Sequence, residues 1–247
     1  MPPATGSEQV KHGQSGNRRR VQYSLALMGG NEFRPPCEGI DRALLEATRS
    51  PRPRVVVLPT AATPEDPVLA AKNGVEYFQR LGAMATACMI LTRADAENPE
   101  LLQPLLKGDL LYLTGGSPGY LLQTLRGTSA WRSIVEGRRK GRLIVGSSAG
   151  AMVLGAKMWE GSGWAEALGL VAGLALLPHG ESLSRAQVAS LTRNLDPGLT
   201  LFQIDTATCC VRLDTGHWLV LGEGQVRVHA VGKASYYKPG MRFLLAD

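Results

Sequence analysis

The stretch RLIVGSSAGAMVLG, residues 142–155, decides the fold. An apolar run, RLIVG at 142–146, enters Gly146-Ser147-Ser148-Ala149-Gly150, and an apolar helix departs from it. Small residues around a serine between strand and helix form a nucleophile elbow, in which the hydroxyl stands clear at the strand's carboxyl end. Gly146 and Gly150 allow strand and helix to pack closely around the strained turn. The helix amino terminus behind Ser148 offers positive potential and free N–H groups to a developing oxyanion. The plainer reading of the same letters is a Gly/Ser-rich turn in a doubly wound sheet.

Working outward, the rest of the chain repeats the alternation. VQYSLALMGG (21–30) reads as a strand ending in two glycines, and EGIDRALLEATR (38–49) as a helix with Ile40, Leu44 and Leu45 on one face. PRVVVLPTAA (53–62) is a buried strand, VLAAKNGVEYFQRLG (68–82) a helix stopped by Gly82, and MATACMIL (84–91) a strand. NPELLQPLLKG (98–108), DLLYLTGG (109–116), PGYLLQTLRG (118–127) and SAWRSIVEGRRKG (129–141) continue the series. Apolar runs without alternation, each followed by a helix, predict a parallel sheet covered on both faces. The last quarter changes to short strands: GLTLFQIDTATCCVRLD, HWLVLGEG and QVRVHAVGK. These are expected to form an antiparallel extension of the same sheet or a β-rich edge. The fold class is therefore α/β, a doubly wound, mostly parallel sheet with a β-rich C-terminal extension. Residues 21–247 form one domain, and 1–20 a flexible basic tail.

Composition narrows the function classes. Of the 247 residues, 44% are hydrophobic and 19% charged, which requires a sizeable core and excludes a largely disordered chain. No apolar run approaches the ~20 residues of a membrane span, and the N-terminus lacks the apolar centre of a secretory signal. In the tail, Lys11, Arg18, Arg19 and Arg20 face only Glu8, so half of the net charge of +6 sits there and the body is nearly balanced. Nucleic acid is not expected as a partner, nor is a membrane. Cys37, Cys88, Cys209 and Cys210 have no zinc-site spacing and read as reduced, small hydrophobes, which places the protein in the cytoplasm. No cofactor and no metal are implied.

A serine needs a base. Among the four histidines, His12 lies in the tail, His217 in a turn after Asp214-Thr215-Gly216, and His229 alternates with Val226 and Val228 toward solvent. His179 ends the apolar run LALLPH (174–179) and so sits at a strand mouth, which makes it the base by elimination. A second glycine loop ends DLLYLTGG, and the amide of Gly116 with that of Ala149 would make a two-donor oxyanion hole. The loop lacks both the Lys-Ser/Thr of a P-loop and the spaced glycines of a dinucleotide site.

These residues carry a resemblance. MGGNEF (28–33), VVVLPTAA (55–62), LYLTGGSPGYLL (111–122), GSSAGAMVLG (146–155) and ALGLVAGLALLPHGES (167–182) resemble the dipeptidase E and cyanophycinase family of serine peptidases. Residues 203–231, with the turn Asp205-Thr206-Ala207, resemble its closing strands. The resemblance implies a flavodoxin-like fold related to class I glutamine amidotransferases. It implies Ser148 as nucleophile, His179 as general base and acid, and Gly116 and Ala149 as the oxyanion hole. An acid between serine and histidine would orient the imidazole. Glu160 is preferred, because KMW before it reads as a strand end, with Glu166 and Glu181 as the other candidates.

The departures bear on substrate. Gly180 replaces the family's aromatic after the histidine, and only Arg185 stands at a matching arginine position, with Leu183 at another. Ser117 stands where relatives have Asn or Asp, and Glu32 beside Gly29-Gly30 binds a substrate amino group or caps a loop. Arg185, Ser117 and Glu32 are thus the expected substrate-binding residues. The implied substrate is a small aspartyl or β-aspartyl peptide, its carboxylate gripped by Arg185, and a serine in place of cysteine argues against glutamine amide transfer. Family members often pair, and the apolar helices allow a homodimer. The other reading is a non-catalytic protein on the same scaffold that binds a small metabolite.

Overall fold

Each continuous apolar run becomes a strand, and the order of the strands decides which loops meet. The computed structural model describes residues 23–230 and 232–245, so the basic tail at 1–20 lies outside the described residues. The first half of the chain alternates β1 (Tyr23–Met28), α1 (Glu38–Ala47), β2 (Arg54–Leu58), α2 (Pro67–Arg80), β3 (Met84–Ala87), α3 (Gln103–Lys107) and β4 (Leu110–Leu113). It continues through α4 (Pro118–Leu125), α5 (Ser129–Arg139), β5 (Leu143–Ser147) and α6 (Ala149–Leu154). Then come β6 (Lys157–Trp159), β7 (Trp164–Glu166), β8 (Leu174–Leu177), α7 (Arg185–Arg193) and β9 (Thr200–Ile204). The chain closes with β10 (Thr208–Leu213), β11 (Trp218–Gly222), β12 (Val226–Ala230), β13 (Lys233–Tyr237) and β14 (Arg242–Phe243).

The main sheet has the order β14-β11-β10-β1-β5-β4-β2-β3. Pairing is parallel from β1 through β5, β4 and β2 to β3, and antiparallel from β1 outward to β14. Parallel pairing puts the carboxyl ends of β1, β4 and β5 on one edge, where ligands of open α/β sheets bind.

The expected C-terminal extension is corrected in part. β10, β11 and β14 do extend the main sheet, but β9, β12 and β13 join β8, β6 and β7 in a second, six-stranded sheet. The cause is burial. Phe202, Ile204, Val226 and Val228 share one hydrophobic core with Leu25, Leu27 and Ile144 of the main sheet, so the second sheet lies where helices alone were expected. The opposite face packs Ala26, Met28, Val57 and Val145 under α1 and α2. There Phe33, Tyr77, Phe78 and Tyr112 form a ring cluster with centroids 5.1 to 5.9 Å apart. Among the described residues no helix is long and apolar enough to cross a membrane. All four cysteines are free and buried.

Helix α1 carries one polar side chain inward. Asp41 is fully buried between Ile40 and Leu44; one oxygen accepts from the Tyr77 hydroxyl at 2.8 Å, and Oδ1 has no partner among the described residues. Burial pushes its carboxyl up to about 7, with the Tyr77 bond opposing and the Glu32 charge adding. The folded state then holds a proton that the unfolded chain has released, from about pH 4 to about pH 7. Stability falls as pH rises through that window, by up to about 1.4 kcal/mol per unit. Asp41→Asn cannot ionise. In urea denaturation it should gain on the wild type as pH rises from about 4 to about 7, the difference levelling off above. A pH-independent difference would contradict the neutral, buried acid.

Candidate active site

Ser148 is the residue between β5 and α6, and its backbone is strained: φ is 48° and ψ is −111°. Such a conformation costs a non-glycine residue on the order of 1–3 kcal/mol and persists only where the surroundings hold it. Two close approaches do so. A Cβ on Gly146 would lie 2.5 Å from the carbonyl oxygen of Gly150, and one on Gly150 would lie 2.4 Å from that of Leu113. Only glycines let α6 settle this tightly against β4 and β5.

His179, two residues past β8, shares the positive φ and is left-handed, at φ 51°. Ala207, in the turn before β10, also has a positive φ, again 51°. All three hang from consecutive carbonyls at the end of β1. The amide of Ser148 donates to Met28 at 3.0 Å, that of His179 to Gly29 at 2.9 Å, and that of Ala207 to Gly30 at 3.2 Å. This brings Ser148 Oγ to 3.1 Å from His179 Nε2. The other ring nitrogen, Nδ1, lies 3.2 Å from Thr206 Oγ1. Thr206 in turn donates its hydroxyl to Glu181 Oε1 and its amide to Glu181 Oε2, the latter at 2.9 Å. Burial alone would raise the Glu181 carboxyl, but the Thr206 bonds and the neighbouring His179 outweigh it and hold it below the usual range.

The expected acid is therefore corrected. Glu160 is exposed just past β6, where its amide closes the hairpin onto Gly163, and no bond joins it to the imidazole. Glu166 is paired with Lys157 at 2.7 Å. Glu181, two residues past the histidine, is the carboxylate that the structure brings to His179, through Thr206.

A cleft of about 700 Å³ opens over Ser148 and His179. Gly115 and Gly116 form one wall, next to Thr114. The amide of Ala149 is the first of α6 and so has no intrahelical acceptor. Glu32 lines the cleft, and both its oxygens are engaged: Gly115 N at 2.6 Å and Ser147 Oγ at 2.7 Å. It ties the glycine loop to the elbow, and Phe33 beside it is anchored in the ring cluster.

Two expected substrate contacts are corrected. Ser117 caps α4, its Oγ accepting from the Tyr120 amide at 3.3 Å, and does not line the cleft. Arg185 is the first residue of α7 after the Ser184 cap, and the helix carries it away into a neighbouring cavity of about 480 Å³ with Arg227 and His229. His229 is half-buried against Gln203 Oε1 at 3.0 Å rather than facing solvent.

The cleft's own cations are Arg34 and Arg80, neither singled out by the sequence reading. Arg34 follows Glu32 by two residues in the same loop. Arg80 belongs to a stripe along α2, with Asn73 and Glu76, that lines the cleft at helical spacing. From sequence alone such a stripe is indistinguishable from a solvated helix face.

The match to a family profile settles the relationship: that of Peptidase family S51 covers residues 25–220. The chain belongs to peptidase family S51. An uncharacterised peptidase of Listeria monocytogenes is 34% identical over 99 residues, 40% of this chain and 47% of the relative, so the match spans about half of that protein. The cyanophycinase of Trichormus variabilis is 24% identical over 223 residues, 84% of this chain and 74% of that protein. Among solved structures, a peptidase from an acI-B1 Actinobacterium superposes with a TM-score of 0.82 at 28% identity, covering 91% of this chain and 98% of the other. This S51 member thus has the α/β fold of its family, with the elbow and the histidine inside the matched region.

Proposed function

We propose that the protein is a serine-type peptidase that cleaves short aspartyl or β-aspartyl peptides through an acyl-enzyme on Ser148. The observation that carries the reading is Ser148 Oγ held on a strained elbow 3.1 Å from His179 Nε2. In acylation, Ser148 Oγ bonds the scissile carbonyl carbon while its proton passes to His179 Nε2. The amides of Gly116 and Ala149 receive the oxyanion, and His179 returns the proton to the departing amine as the C–N bond breaks. Water, deprotonated by His179, then releases the acid. Arg34 and Arg80 supply the carboxylate-binding role that the family resemblance gave Arg185. Four buried thiols favour work in a reducing, cytoplasmic interior.

The test has two arms. A fluorophosphonate should attach covalently to Ser148, located by peptide mass spectrometry. A panel of Asp-X and β-Asp-X dipeptides should be hydrolysed, and less well when the free carboxylate is amidated. An intact protein that neither reacts with the probe nor turns over any peptide is a metabolite-binding member of the fold, and the peptidase reading is then wrong.

A further inference from the structure

We infer that Glu181 and Thr206 form a positioning pair that fixes the proton order of the Ser148–His179 couple, which deepens the serine-peptidase reading and rests on it. The argument begins from what each group can donate. An ionised carboxylate only accepts hydrogen bonds, whereas a threonine hydroxyl has one proton to give and lone pairs to receive with. Both oxygens of Glu181 face Thr206, one taking its amide and the other its hydroxyl proton. With that proton committed, Thr206 Oγ1 can meet His179 Nδ1, 3.2 Å away, only as an acceptor. Nδ1 must then carry the ring proton. The neutral imidazole has one proton, so Nε2 is bare, and at 3.1 Å from Ser148 Oγ it accepts the serine's proton. One carboxylate that can only accept thus orders every proton from Glu181 to the nucleophile, although it never touches the histidine.

Both members of the pair are held from behind. The carbonyl of Gly180, beside Glu181, accepts from the side-chain Nε2 of buried Gln203 at 2.6 Å. The turn of Thr206 is fixed by Asp205, whose carboxylate meets Arg227 at 2.6 Å with both side chains largely buried, and by the Ala207 amide on Gly30. Thr206 is therefore not free to swing toward solvent and release the ring. When His179 takes the serine's proton, its positive charge lies one hydroxyl away from the Glu181 anion, which favours the imidazolium of the transition state.

Four variants and two readouts test the pair. In nitrogen-15 NMR of histidine-labelled protein, His179 of the wild type and of Ser148→Ala should show the Nδ1–H tautomer. Thr206→Val, close in shape but unable to accept, should lose that preference. Glu181→Gln, an exposed position, places an amide that can donate toward Thr206 and should scramble the tautomer without unfolding the chain. In kinetics, both should lower kcat about 10²- to 10³-fold with KM within a few-fold, since the ring and not substrate binding is affected, whereas Thr206→Ser should restore most of the rate. Unchanged tautomer populations with kcat within about 3-fold of wild type in Thr206→Val and Glu181→Gln would overturn the pair. A wild type inert to peptides and phosphonate would instead overturn the peptidase reading, and the tautomer measurement would still decide whether Glu181 sets the proton order.

Discussion

Ser148→Ala and His179→Ala are each expected to lower kcat by about 10⁴- to 10⁶-fold, with the double variant no worse than either alone. The equality matters more than the size. Serine and histidine act as one unit, so removing the hydroxyl leaves the base with nothing to deprotonate, and removing the base leaves a hydroxyl that is almost wholly protonated at neutral pH. The residual rate should come from the Gly116 and Ala149 amides and from substrate binding, and KM should move little. Both substitutions shorten a side chain without touching the backbone bonds to Met28 and Gly29, so the fold should survive, as circular dichroism and thermal melts would show. Hydrolysis by Ser148→Ala at an undiminished rate would place the chemistry elsewhere.

Gly30→Ala is expected to cost about 10²-fold or more in kcat, from a position that performs no chemistry. Two independent penalties meet there. The backbone sits at φ +115°, a region closed to L-residues, and an added Cβ would come within 2.3 Å of His179 Cε1. The imidazole lies directly against the glycine and cannot keep its place over Ser148 once a methyl intrudes. A displacement of about 1 Å between reacting groups is enough for a 100-fold loss. Strain in the segment should also lower stability by about 1–3 kcal/mol. Parallel measurement of kcat and of urea unfolding separates the two effects. Full activity in Gly30→Ala would mean that the ring need not rest on residue 30.

What the sequence made legible follows from where the determining forces lie. Ser148 and the glycines around it are local: strand, turn and helix follow one another within 14 residues, and no distant partner is needed to read them. His179 was reachable because histidines are few and only one ends an apolar run. The strand before Glu160 favours it as the acid, but proximity to a predicted strand says nothing about which way a hairpin points. Thr206 carries no charge and lies 27 residues beyond the histidine it contacts; the resemblance marks its turn, but nothing in the sequence gives the residue a role. The division of the last quarter between two sheets was hidden for a similar reason. Strands β9 and β10 are both apolar and both flank one turn, and only the pairing of β9 with β8 and of β10 with β1 separates them. Arg185 was misplaced by a helix cap: Ser184 starts α7 and turns the next side chain toward another cavity.

The three carbonyls at the end of the first strand have a consequence for what the scaffold can become. Nucleophile, base and the turn behind the base are located by main-chain amides, which every amino acid except proline possesses, and not by the side chains that react. The reacting atoms are thus interchangeable parts on a fixed jig. A thiol at position 148 or a different acceptor at position 206 would inherit the same coordinates, while an insertion of a single residue between Met28 and Gly29 would shift the anchors of the base and of the turn behind it away from that of the nucleophile.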